Sequence, residues 1–236
     1  IAGPGFINIT LDRATQAALV ETILKSTKDF GKGNALAGIK INLEFISANP
    51  TGPLHLGHTR WAAVGDALGR VLTAAGAQVT REFYINDRGR QMDLFGQSVQ
   101  AAATGQPIPE DGYQGNYITD LAKEVVTANP QISTSEEFRE AAYKVQLAQQ
   151  QRVLETFHTT FDVWFSERSL HESGAVEHGL EKLRSQGHVF EEAGAVWLRT
   201  TDFGDDKDRV LIKENGELTY FASDTAYYIN KRERGS

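Results

Sequence analysis

The 236-residue chain is 40% hydrophobic and 23% charged, carries a net charge of −7 and has no cysteine. That composition belongs to a soluble globular protein of one large or two small domains, and it excludes disulfides and thiolate metal sites. With no long apolar run, no basic-then-apolar leader and an acidic balance, a membrane protein, a secreted protein and a generally basic nucleic-acid coat are not expected, and a cytosolic protein is.

Ile1-Ala2-Gly3-Pro4-Gly5-Phe6-Ile7 lacks an initiator methionine and reads as the exit from something preceding it. Phe6 to Leu11 predicts a short strand. Asp12 to Lys28 predicts a helix, with Ala18, Leu19, Ile23 and Leu24 at helical spacing. Residues 1–36 are therefore the tail of an upstream module or a helix that caps the domain beginning near residue 37.

The segment 37–106 opens with Ile39, Ile41, Leu43 and Phe45 alternating with Lys40, Asn42 and Glu44, a strand with one more apolar face. Asn49, Pro50, Gly52 and Pro53 interrupt regular structure, and His55-Leu56-Gly57-His58 begins a long helical pattern. A helix N-terminus presents free N–H groups and partial positive charge to an anion. Gly57 leaves room for close approach, and His55 and His58, three apart on one face, can donate to phosphoryl oxygens. Taken alone, a His-x-x-His pair is also compatible with a chance surface pair or half a metal site. Metal is disfavoured by the lack of cysteine and of ligand spacing among His158, His171, His178 and His188.

Trp61, Val64, Leu68 and Val71 make an apolar stripe along this helix, while Ala62, Ala63, Gly65, Ala67 and Gly69 keep it thin enough to sit on a sheet, and Gly76 caps its end. Val79, Arg81, Phe83 and Ile85 alternate as the next strand. Strand, helix and strand with short links imply a right-handed parallel crossover, hence an α/β, doubly wound sheet with its ligand at the strands' C-terminal ends. Asn86, Asp87, Arg88 and Gly89 follow in a loop at that end, as ligand neighbours or as an ordinary helix cap.

Segment 107–200 departs from this alternation. Ile118, Leu121, Ala122, Val125 and Val126 predict a helix ended by Asn129-Pro130; Ser133 with Glu136, or Thr134 with Glu137, can box the start of a second, longer one. Gln146, Gln149, Gln150 and Gln151 read as its solvated face. Phe161 to Phe165 can form a strand, Val176, Leu180 and Leu183 a short helix, and Val189-Phe190 and Val196-Trp197-Leu198 a hairpin around Ala193-Gly194.

In segment 201–236, Asp202, Asp205, Asp206 and Asp208 do not have calcium-loop spacing and read as a polar turn balanced by Lys207 and Arg209. Asn215-Gly216 between VLIK and LTYF signals a second hairpin. Tyr220 and Asp224, four apart, could simply stack on one face of a helix; alternatively, a strand running to about Phe221 and a helix from about Ser223 would set Asp224 at the rim of the sheet facing the same pocket as Glu44, where two carboxylates could take the planar donors of a guanidinium.

The ordered string EFISANPTGPLHLGH, Glu44 to His58, closely resembles the HIGH-motif region of class I aminoacyl-tRNA synthetases, in the form found in the bacterial arginyl-tRNA synthetases. GYQGNYI at Gly112 to Ile118, DFGDDKDRV at Asp202 to Val210 and LTYFASDTAYY at Leu218 to Tyr228 extend the resemblance over nearly the whole chain. The resemblance implies a Rossmann-like catalytic domain of the HUP type, incomplete, with an inserted mainly helical segment. It implies activation of L-arginine with ATP and Mg²⁺ as co-substrate, and arginyl transfer to tRNA(Arg), met mainly by regions outside this chain. His55, Gly57 and His58 would hold ATP, with His55 and His58 stabilising phosphate charge. Glu44, Ser47, Asn49, Tyr220 and Asp224 would hold arginine, and Glu167 would join them. Asn86 to Gly89 would border the nucleotide. No protein metal-ligand set is implied, and a monomer is expected. The chain departs from the family by omission, lacking a KMSKS-like loop, the remaining strands and the helical anticodon-binding domain, and it therefore reads as an excised piece that would catalyse poorly alone. A related nucleotidylyl transferase activating another acid, or a non-catalytic RNA-binding or regulatory paralogue, remains open.

Overall fold

The computed structural model describes residues 3–235; Ile1, Ala2 and Ser236, and with them the outermost ends of both terminal runs, lie outside the described residues. Asp12 caps helix α1 (Arg13–Ser26) by accepting the Thr15 N–H at 2.7 Å. No strand forms over residues 6–11: an isolated bridge at Phe6 does not extend, and Phe6, Ile7, Ile9 and Leu11 are exposed. The apolar side chains of α1 are exposed as well.

Strand β1 (Lys40–Glu44), helix α2 (Leu56–Ala74) and strand β2 (Gln78–Ile85) make the expected unit, with β1 and β2 parallel in the register Ile41↔Val79. Helix α2 ends in a Schellman motif: Gly76, at φ +102°, donates to Thr73 O and Ala77 donates to Leu72 O. The face that α2 turns to the sheet is that of its small residues and not the stripe of larger apolar ones beside it. Ala62, Gly65 and Gly69 are buried, whereas Trp61, Val64, Leu68 and Val71 are exposed. Packing decides this, because a Cβ on Gly65 would stand 2.2 Å from Phe45 Cδ2 and one on Gly69 2.9 Å from Arg81 Nε. Gly65→Ala should therefore cost about 1–3 kcal/mol by overpacking, read as a lower urea midpoint at unchanged m-value.

Helices α3 (Arg90–Thr104), α4 (Asn116–Ala128) and α5 (Ser135–Thr156) share one core, in which Met92, Phe95 and Val99 meet Ile118, Leu121 and Val125, with Phe138 and Ala142. After α5 the chain returns to the sheet at β3 (Val163–Ser166), which pairs in parallel with β2 to give the order β1-β2-β3. Of the two possible capping boxes, Thr134 with Glu137 forms. The glutamine face of α5 is not solvated throughout: Gln146 and Gln150 are each 1% exposed. For Gln150 the cause is the irregular loop beneath it, whose carbonyls no strand satisfies: Gln150 Nε2 donates to Asn49 O at 3.0 Å and Gly52 O at 2.8 Å.

Helices α6 (Glu167–Glu172) and α7 (Ala175–Ser185) lead to an antiparallel sheet of β4 (Val189–Glu192), β5 (Ala195–Leu198) and β6 (Arg209–Ile212). Ala193 and Gly194, both at positive φ, close the β4–β5 turn. In the acidic turn, Arg209 pairs with Asp205 and Asp206. After Asn215-Gly216 only one bridge forms, Ile212 with Leu218. Thr219 then donates its hydroxyl to Val210 O at 2.7 Å and takes the N-cap position of helix α8 (Tyr220–Glu233). Of the two readings of this segment, the helix that holds both Tyr220 and Asp224 forms and the strand to Phe221 does not, because pairing with β6 is finished at Thr219. Ala222, Ala226 and Tyr227 of α8 join Leu170, Val176, Leu180, Leu211 and Tyr84 in a second core that ties the antiparallel sheet to β2.

Candidate functional site: a histidine-capped helix start and an acidic cleft

His55 is the N-cap residue of α2, in extended backbone, and its Nδ1 accepts the Gly57 N–H at 3.1 Å. The His55 N–H in turn donates to His58 Nδ1 at 3.1 Å, and the two rings stack with centroids 3.7 Å apart. An imidazole whose Nδ1 accepts a hydrogen bond carries its proton on Nε2. Both histidines are therefore held with an Nε2–H donor on the far edge of the ring. Burial, and then the neighbouring His55, hold the His58 pKa below the usual imidazole value, which favours its neutral form. Gly57 serves this cap directly, since a Cβ there would lie 2.9 Å from His55 Cε1.

The loop before the helix is bent and braced. Ile46 and Ser47 both have positive φ, +68° and +47°, an uncommon conformation for any side chain and a strained one for β-branched Ile46. The bend returns Ser47 Oγ to the sheet, where it donates to Glu44 Oε1 at 2.9 Å and accepts the Tyr84 N–H at 3.2 Å. Asn49 Oδ1 accepts from Asn86 Nδ2 at 2.8 Å, and its Nδ2 donates to Gln91 Oε1 at 2.6 Å. Tyr117 Oη, donating to Thr51 O, and Gln150 hold the loop from the helical insert.

At the C-terminal end of β1 and β2, beneath α8, lies a cleft of about 350 Å³ lined by Glu44, Ser47, Tyr84, Asn86, Asp224, Tyr227, Tyr228 and Lys231. Asp224 has its pKa pushed up, first by burial and then by the charge of Glu44. Tyr84 is pushed strongly up by burial, with Glu167, Asp224, Asp87 and Glu44 adding to the effect, and stays a neutral phenol. The cleft is thus a partly desolvated place with two carboxylates, which favours a cation with several N–H donors.

Of the residues singled out from the sequence, Glu44, Ser47 and Asp224 meet in this cleft, and Asn49 adjoins it through Asn86. Tyr220 does not line it; in the first turn of α8 it is 85% exposed, and the helix presents Asp224, Tyr227, Tyr228 and Lys231 instead. Those four, at i, i+3, i+4 and i+7, would have been found by starting the helix at Tyr220. His55 and His58 are not among the residues that line it. Glu167 is 7% exposed at the start of α6, its pKa raised by burial and by Asp87 ahead of the opposing Arg88, with Asp224 adding to the rise. Asp87, expected near a ligand, is 3% exposed and accepts from Tyr143 Oη, Ser166 Oγ and the Arg168 N–H, so it locks β2, α5 and α6 together. Among the described residues no three His, Cys, Asp or Glu gather as a metal site.

The family model described as tRNA synthetases class I (R), catalytic domain, matches residues 19–162, more than half of the chain. The chain belongs to the class I arginyl-tRNA synthetase family. Arginine–tRNA ligases of Pseudarthrobacter chlorophenolicus and Renibacterium salmoninarum are 56% and 58% identical to it over its whole length, which corresponds to 44% of theirs. It therefore spans less than half of the curated relatives it matches. A crystal structure assigned to an arginyl-tRNA synthetase from Campylobacter jejuni superposes with a TM-score of 0.87 at 35% identity, over 95% of this chain and 52% of that one. The Thermus thermophilus arginyl-tRNA synthetase, at 23% identity and a TM-score of 0.65, shares the fold. The α/β architecture with its parallel sheet is that of the class I synthetase catalytic domain, and no helix among the described residues is long and apolar enough to cross a membrane.

Proposed function

We propose that this chain forms the arginine-activating part of an arginyl-tRNA synthetase, acting in the cytoplasm as a monomer on L-arginine, ATP and tRNA(Arg). The observation that carries the reading is the cleft in which Glu44 and Asp224 face each other at the strand ends, one braced loop away from the histidine-capped start of α2. The arginine side chain enters the cleft, its guanidinium taken by Glu44 and Asp224 against Tyr227 and Tyr228; Ser47 and Asn49 orient the amino and carboxyl ends. The carboxylate then attacks the α-phosphorus of ATP and pyrophosphate leaves. As negative charge grows on the phosphates, the Nε2–H groups of His55 and His58 donate to them without acting as nucleophiles. Their placement is fixed in advance by the two Nδ1 hydrogen bonds, so no reorganisation is needed during the reaction. Mg²⁺, carried on the polyphosphate, supplies further neutralisation of its charge. Glu167, which feels the charge of Asp224, adds to the negative field of the cleft.

Pyrophosphate exchange measured across a panel of amino acids, with and without tRNA, in a family-length synthetase carrying this segment tests the reading. Exchange dependent on arginine supports it; dependence on another amino acid, or none with any, defeats it. The cleft also makes a pH prediction. Guanidinium binding needs Asp224 ionised, and its pKa is raised, so on acidification arginine affinity should begin to fall above the pH at which an exposed aspartate titrates, about 4. Asp224→Asn should weaken binding and flatten that limb, as followed by calorimetric titration of arginine over a pH series.

A further inference from the structure

The cleft already contains a cation. Lys231, one turn beyond Tyr227 and Tyr228 on α8, places Nζ 2.5 Å from Glu44 Oε2 and 4.2 Å from the centre of the Tyr227 ring. The other carboxylate oxygen, Oε1, is engaged by Ser47 Oγ. The lysine side chain is only 18% exposed, so the ammonium sits within the cleft and its (CH₂)₄ stem follows the helix surface down to it. Without ligand, then, Glu44 is not a vacant acceptor. Both of its oxygens have partners, and one of these has the charge and the aromatic neighbour that a guanidinium would have.

We infer that Lys231 is an internal competitor for the guanidinium seat, which an incoming arginine must displace from Glu44. The inference rests on the reading of the cleft as the arginine site and adds to it a residue that sets affinity. Physically, the tethered ammonium is always present at high effective concentration, so every ligand that uses Glu44 does so at the expense of one partly buried ion pair. Arginine can offset this, because its planar fork can offer two donors where the ammonium offered a point charge, and Asp224 stands ready as a second acceptor. Lysine as a ligand would merely exchange one ammonium for another. The expense is the same for both, so Lys231 lowers the affinity for all cationic amino acids together and leaves their ratio to the rest of the cleft. Once displaced, the ammonium remains beside Asp224, Tyr227 and Tyr228 on the same helix face, close enough to return when the product leaves.

The alternative role for such a residue is a brace that holds Glu44 in place for the ligand, and the two roles predict opposite effects. Calorimetric titration of L-arginine and L-lysine into a family-length synthetase carrying this segment, comparing the unsubstituted protein with Lys231→Met, Lys231→Gln and Lys231→Arg, separates them; near-ultraviolet circular dichroism checks that each variant folds. As a competitor, Lys231 predicts that the two cation-free variants bind both ligands about threefold to tenfold more tightly, by the same factor for each. Lys231→Arg, a better occupant of the same seat, should bind both more weakly than the unsubstituted chain. Weaker or unaltered arginine binding by the cation-free variants, or unweakened binding by Lys231→Arg, overturns the inference. If neither the unsubstituted chain nor any variant binds arginine, the reading of the cleft itself falls and takes this inference with it.

Discussion

His58→Ala is expected to lower the rate of arginine-dependent pyrophosphate exchange by about 10² to 10³, the usual cost of losing one preorganised donor to a developing charge. The same change removes the acceptor of the His55 N–H and unstacks the pair, so about 1 kcal/mol of stability should go with it, as for other N-terminal caps. The two losses are separable. His58→Asn can accept the His55 N–H through Oδ1 while offering an Nδ2–H donor, and should recover the stability and part of the rate. Because burial and His55 depress the His58 pKa, the neutral form, with Nδ1 accepting and Nε2–H donating, persists to lower pH than for an exposed imidazole. Exchange rates and urea titrations on the three proteins decide the matter; an unchanged rate in His58→Ala would remove the imidazole pair from the mechanism.

The largest effect on stability is expected at Glu82, in the middle of β2, which is fully buried and accepts from Asn42 Nδ2 at 2.8 Å, from Arg234 at 2.8 and 3.0 Å, and from Tyr227 Oη. This carboxylate fastens the end of α8 to the parallel sheet, and α8 carries Asp224, Tyr227, Tyr228 and Lys231. Glu82→Ala leaves a buried phenol and a guanidinium without their acceptor and should cost about 3 kcal/mol, toward the low end for a broken buried pair because Arg234 is partly accessible and can rehydrate. It should also weaken arginine binding, by loosening the helix that forms one wall of the cleft. Burial alone would raise the Glu82 pKa; the hydrogen bonds from Arg234, Tyr227 and Asn42 outweigh it and hold it below the usual value. A depressed folded-state pKa means stability that is present above the unfolded carboxylate value and lost as the pH falls through the folded one. Glu82→Gln should therefore show a shallower acid limb in stability than the unsubstituted chain, in urea melts run over a pH series. An identical limb would mean that Glu82 does not supply it.

Much of this could be read in one dimension because the determinants are local. Period-two alternation marks β1 and β2, the length of the link between them makes the crossover parallel, Gly76 stops α2, and Thr134 with Glu137 starts α5; each depends on residues within a few positions of one another. The ordered string from Glu44 to His58 was sufficient to indicate the family, and the family model and relatives agree with it. What local pattern cannot supply is which side of an element meets which neighbour. The stripe Trp61, Val64, Leu68 and Val71 has the hydrophobicity of a core face, but Phe45 and Arg81 leave space only for glycine, so the bare face of α2 is turned inward. Gln150 looks like a surface residue until a loop about one hundred positions away needs donors for its carbonyls.

The sequence by itself determined the class of fold and the place of the histidine pair at a helix start, since these follow from residue identity and short-range spacing. Only the tertiary structure decided that α8 begins at Tyr220, which turns that tyrosine out to solvent and brings Tyr227, Tyr228 and Lys231 to the cleft. The reason is geometric: Thr219 finishes its hydrogen bonds to β6, and Glu82 holds the far end of the helix. Both constraints join residues widely separated along the chain, and no run of neighbouring residues contains them.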